Sequence, residues 1–250
     1  TSQCIFRIDI ARCKMISVSL VDGTVVKDFE KVTFFSGHSH RTMSFTHPQY
    51  PNIKEYNITS VGGELWNSPN ICGLNIGEDG ADAGFYLCSF KGDKLTKEWY
   101  SAVKGSEYPF RAYDMNTVAK IYAESETLNY LCKLQRNQIN YNDPQFENYI
   151  YVNCWTWEDG STITITENGN NLAVEKVTHS DPLAAKVVYA KPSILKKTKE
   201  SKKDNRLALA ASMFRAKASK ADSSVTITFT TPAGQTYTQT ITRPAPFAVK

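Results

Sequence analysis

Hydrophobic and polar positions alternate with a period of two over much of this chain. Val225, Ile227 and Phe229 alternate with Thr226, Thr228 and Thr230, the mark of a strand with one buried face. Pro232-Ala233-Gly234 then turns the chain into a second strand over residues 236–242. Residues 161–166 and 172–177 flank Asn168-Gly169, a strong hairpin signal. Residues 84–90 and 95–103 predict another hairpin, closed by Lys91-Gly92-Asp93-Lys94. Residues 55–61 and 212–218 also read as strands. The run 149–157, YIYVNCWTW, is apolar at both parities and predicts a central strand covered on both faces. Its Tyr149, Tyr151, Trp155 and Trp157 fall on one parity. Such a row suits sugar stacking or a packed core, and the core is the expected use. A short helical stretch follows Asp181-Pro182. The pattern predicts a mostly β (α+β) protein, with a boundary near residues 104–113 and an all-β, sandwich-like unit over 113–250.

Composition narrows the classes. The chain has 250 residues, 41% hydrophobic and 22% charged, ordinary for a soluble globular protein. No apolar run approaches the ~20 residues of a membrane-spanning helix, and no signal peptide is visible. The net charge of +4 matches that of residues 196–206, KKTKESKKDNR, so the remainder is balanced. That argues against an extended basic face for nucleic acid. The basic stretch reads as a solvated loop. The six cysteines form no C-x-x-C motif, so a zinc ribbon or thioredoxin-like site is not expected. Cys88 and Cys154 sit in apolar runs, where cysteine acts as a small hydrophobe.

The candidate chemistry lies in KVTFFSGHSH, residues 31–40. Residues 32–35 read as a short buried strand, broken by Ser36-Gly37 and followed by His38 and His40. In an extended backbone this spacing can put both imidazoles on one side. Neutral imidazole is a common ligand for transition metals. Two histidines do not complete a first shell, which usually takes three or more protein ligands. His47 and His179 lie outside any such motif. No nucleophilic triad or phosphate-binding glycine loop is present.

The stretch FFSGHSHRTMSF, followed by IKEYNITSVGGELWNSPNICG, GEDGADAGFYLCSF and KEWYSAVKG, resembles the last third of a calcineurin-like metallophosphoesterase domain. It is most similar to the bacterial subgroup with an extra C-terminal β domain, which SMFRAKASKADSSVTITFTTPAGQTYTQTITRP also resembles. The resemblance spans roughly residues 24–245 and divides the chain into residues 1–112, the end of the catalytic αβ sandwich, and 113–250. It implies a hydrolase of phosphate esters working through two divalent ions drawn from Mn, Fe, Zn or Mg, with His38 and His40 as ligands of neighbouring ions. It implies Trp66 and Cys72 at the pocket mouth, where packing under a long loop is the equal alternative, the end of a helix over residues 25–31, and export to the periplasm or cell surface. Asp79-Gly80 and Gly84 resemble the family's D-G-x-x-x-G-[YF] turn, where Asp79 is read as turn chemistry. The family's other ligand motifs, D-x-H, G-D-x-x-D and G-N-H-[DE], do not occur in this sequence. The expectation is therefore a C-terminal portion, incomplete and inactive by itself. The alternative is a non-catalytic β-rich binding module with GHSH as a relic. Strands lacking their neighbours would leave unpaired edges, which allow a homodimer.

Overall fold

The computed structural model describes residues 6–8, 26–37, 39–61, 68–92, 94–102, 107–133, 140–190 and 208–247. The basic stretch at 196–206, His38 and Trp66 lie outside the described residues.

The first layer is a four-stranded sheet built from β1 (Phe6–Ile8), β2 (Val32–Ser36), β3 (Met43–Thr46) and β4 (Ile53–Asn57), in the order β1-β2-β4-β3. β2 runs parallel to β1 and β4, and β3 pairs antiparallel with β4. Register fixes which residues share a face. Val32 pairs Ile53 and Phe34 pairs Glu55, while Thr33 pairs Lys54 and Phe35 pairs Tyr56. The first face holds a small cluster of Val32 and Ile53, with Val26, Phe29, Phe34, Phe45 and Tyr50 around it. The second face looks toward the rest of the molecule. There the Ser44 hydroxyl donates to the Trp157 carbonyl at 2.7 Å, and the Thr46 hydroxyl donates to Asp159 at 2.7 Å. Residues 26–30 form turns rather than the expected helix end. The strand expected at 55–61 begins earlier and stops at Asn57, where Ile58 N–H donates to Ser36 O and the next residues leave the sheet.

A hairpin follows α1 (Ser68–Cys72). Its strands, β5 (Gly84–Lys91) and β6 (Lys94–Ser101), pair antiparallel around Gly92-Asp93. The turn is two residues shorter than the sequence suggested, because Lys91 and Lys94 are themselves paired.

The central sheet takes β7 (Arg111–Asp114), β8 (Tyr149–Asn153), β11 (Glu175–Val177) and β12 (Met213–Lys217) in the order β11-β12-β8-β7. β8 is interior, as its two-sided apolarity demands. One face contributes Ile150, Val152, Phe214 and Ala216 to a core shared with Ile165, Val225, Ile227 and Phe229. Those partners belong to a second sheet, β10-β9-β13-β14, built from β9 (Thr162–Glu167), β10 (Asn170–Asn171), β13 (Val225–Thr230) and β14 (Thr236–Ile241). β13 shows the strict alternation read from its threonines. Asn168 and Gly169 both have positive φ, as a tight hairpin turn requires.

The other face of the central sheet is covered by helices, which corrects the all-β expectation for residues 113–250. These are α2 (Met115–Glu124), α3 (Glu126–Lys133) and α4 (Pro182–Ala190). α2 buries Met115, Val118 and Tyr122 at helical spacing, and the Asp114 carboxylate accepts Asn116 N–H to cap it. The expected 149–157 strand is also shorter. After Asn153 the chain turns, so Trp155 and Trp157 leave the row of Tyr149 and Tyr151. Trp157 packs on Phe214, with centroids 4.5 Å apart, and Trp155 is buried beside Arg111.

Three buried charged groups, Arg111, Asp82 and Asp181, join these layers. Arg111 pairs with Asp82 and donates to Gly80 O at 2.6 Å. Tyr113 donates to Asp181 at 2.6 Å, and Asn153 donates to both Asp181 and Asp79 O. Asp181 also accepts Leu183 and Ala184 N–H, capping α4. Gly80 sits at φ +82, and a Cβ there would overlap the Asp181 side chain. Asp181→Ala removes the partner of four donors in a buried setting. It is expected to lower unfolding free energy by about 3 kcal/mol or more, read from urea midpoints at unchanged denaturant slope.

Candidate functional site

The loop at residues 37–42 leaves the C-terminal end of β2 and is held from both sides. Beneath it runs a chain of polar contacts. The Ser36 hydroxyl donates to Glu55 at 2.5 Å and accepts Asn57 Nδ2 at 3.0 Å, and the Ser39 hydroxyl donates to Asn57 Oδ1. Glu55 and Asn57 are buried. Alternation in β4 thus sends polar side chains toward the loop at positions where a strand interior would carry apolar ones.

His40 adopts φ 55, a left-handed conformation uncommon for a non-glycine residue. Its carbonyl accepts the Thr59 hydroxyl at 3.2 Å. On the far side stands the turn at residues 77–81. A Cβ on Gly77 would come within 2.9 Å of His40 O, so this turn approaches the loop as closely as it does because residue 77 has no side chain. Thr42 N–H donates to Asp79 Oδ2 at 2.8 Å, and Ala81 N–H donates to Asp79 Oδ1 at 3.1 Å. Arg41 pairs with Glu78 at 3.2 Å across a partly exposed surface. Asp79 therefore closes its own turn and also clamps the histidine loop.

The residues singled out in the sequence fall in different settings. His40 lies in this clamped loop, and His38 lies outside the described residues. Cys72 is 3% exposed and belongs to the core with Ile76, Tyr113 and Met115. Burial pushes its thiol pKa up. It lies in the packed interior rather than at an open pocket mouth, because α1 docks against α4. His47 is a turn residue whose Nδ1 accepts Gln49 and Tyr50 N–H. His179 is enclosed by Tyr141, Phe146 and Tyr151, and burial lowers its pKa. Among the described residues no group of three or more His, Cys, Asp or Glu is placed to hold a metal ion. His40 alone does not fit a two-metal centre, which takes more protein ligands, so no chemical step is derived through one. Of the clamp residues, Asp79 was marked by its turn motif, read as turn chemistry, whereas Asn57, Thr59 and Gly77 had no motif by which to find them.

The loop is delivered by a parallel strand beside a mostly β unit. The family comparison bears on the particular family. A family model described as the C terminal of calcineurin-like phosphoesterase matches residues 55–237. The chain belongs to that family. The match starts inside β4, so the clamp residues lie within it while His38 and His40 precede it. No curated protein and no solved structure matches the chain. Among the described residues no helix is long and apolar enough to cross a membrane.

Asp79 gives the site a pH dependence. Burial pushes its carboxyl up from 3.8 to about 6, against the pull of the Thr42 and Ala81 N–H groups. A raised carboxyl holds its proton longer in the folded state. Its stabilising effect is complete below about pH 4 and is lost as pH rises through about 6. Wild-type stability is expected to fall relative to Asp79→Asn between pH 4 and 7, by at most about 3 kcal/mol. Paired urea titrations across that range read the difference.

Proposed function

We propose that this chain is the C-terminal portion of a metal-dependent phosphoesterase, in which His38 and His40 supply imidazole ligands to a two-metal centre. The single observation that carries the reading is the clamped loop. Asn57, Thr59 and Asp79 hold Ser39, His40 and Thr42 in a conformation a solvated polar loop would not need. Membership of the phosphoesterase C-terminal family supports the same conclusion.

In this reading the remaining ligands are D-x-H, G-D-x-x-D and G-N-H-type residues outside this sequence, and the chain is inactive alone. The sheet β1-β2-β4-β3 is then the end of the catalytic αβ sandwich, with the accessory unit beginning near residue 113. The ions would be drawn from Mn, Fe, Zn or Mg, the substrate would be a phosphate ester, and the parent would be exported. Two chains would pair through unsatisfied strand edges.

Metal content after dialysis against Mn and Zn tests the reading. The wild-type chain is expected to retain more metal than His38→Ala/His40→Ala, by elemental analysis. Equal content in both would sink the metal role and leave a β-rich binding module with a relic motif.

A further inference from the structure

A cavity of about 480 Å³ opens where three units meet: the second face of the β2–β4 sheet, the β5–β6 hairpin, and the 231–235 turn of the outer sheet. Its size falls in the range of small-molecule sites, roughly 300–1,000 Å³. It is separate from the histidine loop. Lys31 and Thr33 line it at the start of β2, whereas residues 37–42 follow the other end of that strand. The inference therefore does not rest on the metal reading.

The wall has a pronounced charge imbalance. Lys31, Lys54, Lys94 and Lys97 line it, and Glu158 is the one carboxylate among the residues lining it. Glu158 is already matched. It accepts Lys97 Nζ at 2.6 Å and Tyr56 Oη at 2.6 Å. Three further lysines then line the cavity with no other carboxylate among its lining residues. They come from separate segments, so no charge run in the sequence announced them.

Unsatisfied polar atoms border the same space. Trp99 Nε1, Thr156 Oγ1 and Gln235 Oε1 belong to lining residues, are buried, and have no hydrogen-bond partner among the described residues. Thr156 itself is 8% exposed. Buried polar atoms are normally paired, so these mark places where a bound group or water completes the set. Trp99 is fixed in place. It packs against Gly84, where a Cβ would come within 2.4 Å of its ring, and it takes the edge of Tyr86 at 5.3 Å.

The aromatic faces are largely committed within the protein. Lys97 Nζ sits 3.4 Å from the Tyr56 ring centroid, and Tyr86 is used by Trp99. Stacking on a neutral sugar therefore has less to work with than charge and hydrogen bonding. Lysine ammonium groups with hydroxyl and indole donors suit the dispersed charge of a tetrahedral oxyanion.

We propose that this cavity is a binding site for a small molecule carrying a phosphate or sulfate group, held by Lys31, Lys54 and Lys94 with Thr156 and the Trp99 indole as hydrogen-bond donors. Lys97 is a positioning residue, fixed by Glu158 and Tyr56.

The test uses the whole 250-residue chain labelled with 15N, following its tryptophan indole signals. Trp99→Phe assigns the Trp99 signal. Inorganic phosphate, sodium sulfate and sodium chloride are titrated separately at matched ionic strength. Phosphate is expected to shift the Trp99 indole saturably while chloride does not. Saturation by phosphate alone assigns a phosphate-bearing ligand, and saturation by both oxyanions assigns the wider class. Lys54→Gln/Lys94→Gln is expected to weaken binding at least tenfold, with the other three indole signals unmoved as the control for folding. Thr156→Val, which leaves the lysines in place, is expected to weaken it severalfold. No saturable shift, a response that chloride reproduces, or binding unchanged in both variants overturns the proposal. Saturation that moves all four indoles alike marks an adventitious ion only and overturns it as well.

Discussion

Arg111 is the buried charge around which the layers are arranged. A guanidinium taken out of water is tolerated only beside an opposite charge and with its donors used. Asp82 supplies the charge and Gly80 O takes a further donor. Burial alone would lower the Arg111 pKa, and Asp82 outweighs it to leave the pKa raised. Because Arg111 sits on β7 and its partners sit in the 77–82 turn, the pair fixes that turn against the central sheet. The turn then positions Asp79, and Asp79 positions Thr42 beside the histidine loop. Asp181, Tyr113 and Asn153 extend the same network to α4 and β8. The geometry next to GHSH is thus set from elements far along the chain.

That arrangement explains what the sequence made legible and what it hid. Strand β13 could be read outright, because Val225, Ile227 and Phe229 alternate within six residues and alternation is a local property. The Asn168-Gly169 turn and the hairpin of β5 and β6 were legible for the same reason. α2 was missed although Asp114, Met115, Val118 and Tyr122 carry a cap and a helical spacing. Reading the second half with a period of two concealed it. β8 was overextended because Cys154, Trp155 and Trp157 are as apolar as a strand, yet Cys154 and Trp155 are buried, and Trp157 half-buried, after the strand has ended. Sequence periodicity records burial and leaves open whether a strand or a loop does the burying.

At the site, GHSH stood out as a motif, since its two histidines lie two residues apart in the sequence. Its supports did not. Asn57 and Thr59 are ordinary residues until the fold brings them to Ser39 and His40, and Asp79, legible as a turn residue, gave no sign of its contact with Thr42. The lysine-lined cavity was invisible for a stronger reason. Lys31, Lys54 and Lys94 arrive from three strands, whereas the one obvious basic run, residues 196–206, is a single contiguous stretch outside the described residues. The family match draws the same line, covering the supports while starting beyond the histidines.

The segment between β8 and β9 carries a further consequence. Within a few residues it offers Trp157 O to Ser44, Glu158 to Tyr56 and Lys97, and Asp159 to Thr46. These contacts reach two separate strands of the first sheet and the hairpin, while Trp157 itself stays in the core behind. The segment therefore behaves as an adapter of fixed length. A gene fusion that swapped the outer sheets for a foreign domain would have to carry residues 154–160 along, or remake the seam on the other side. Recombination inside that stretch is disfavoured.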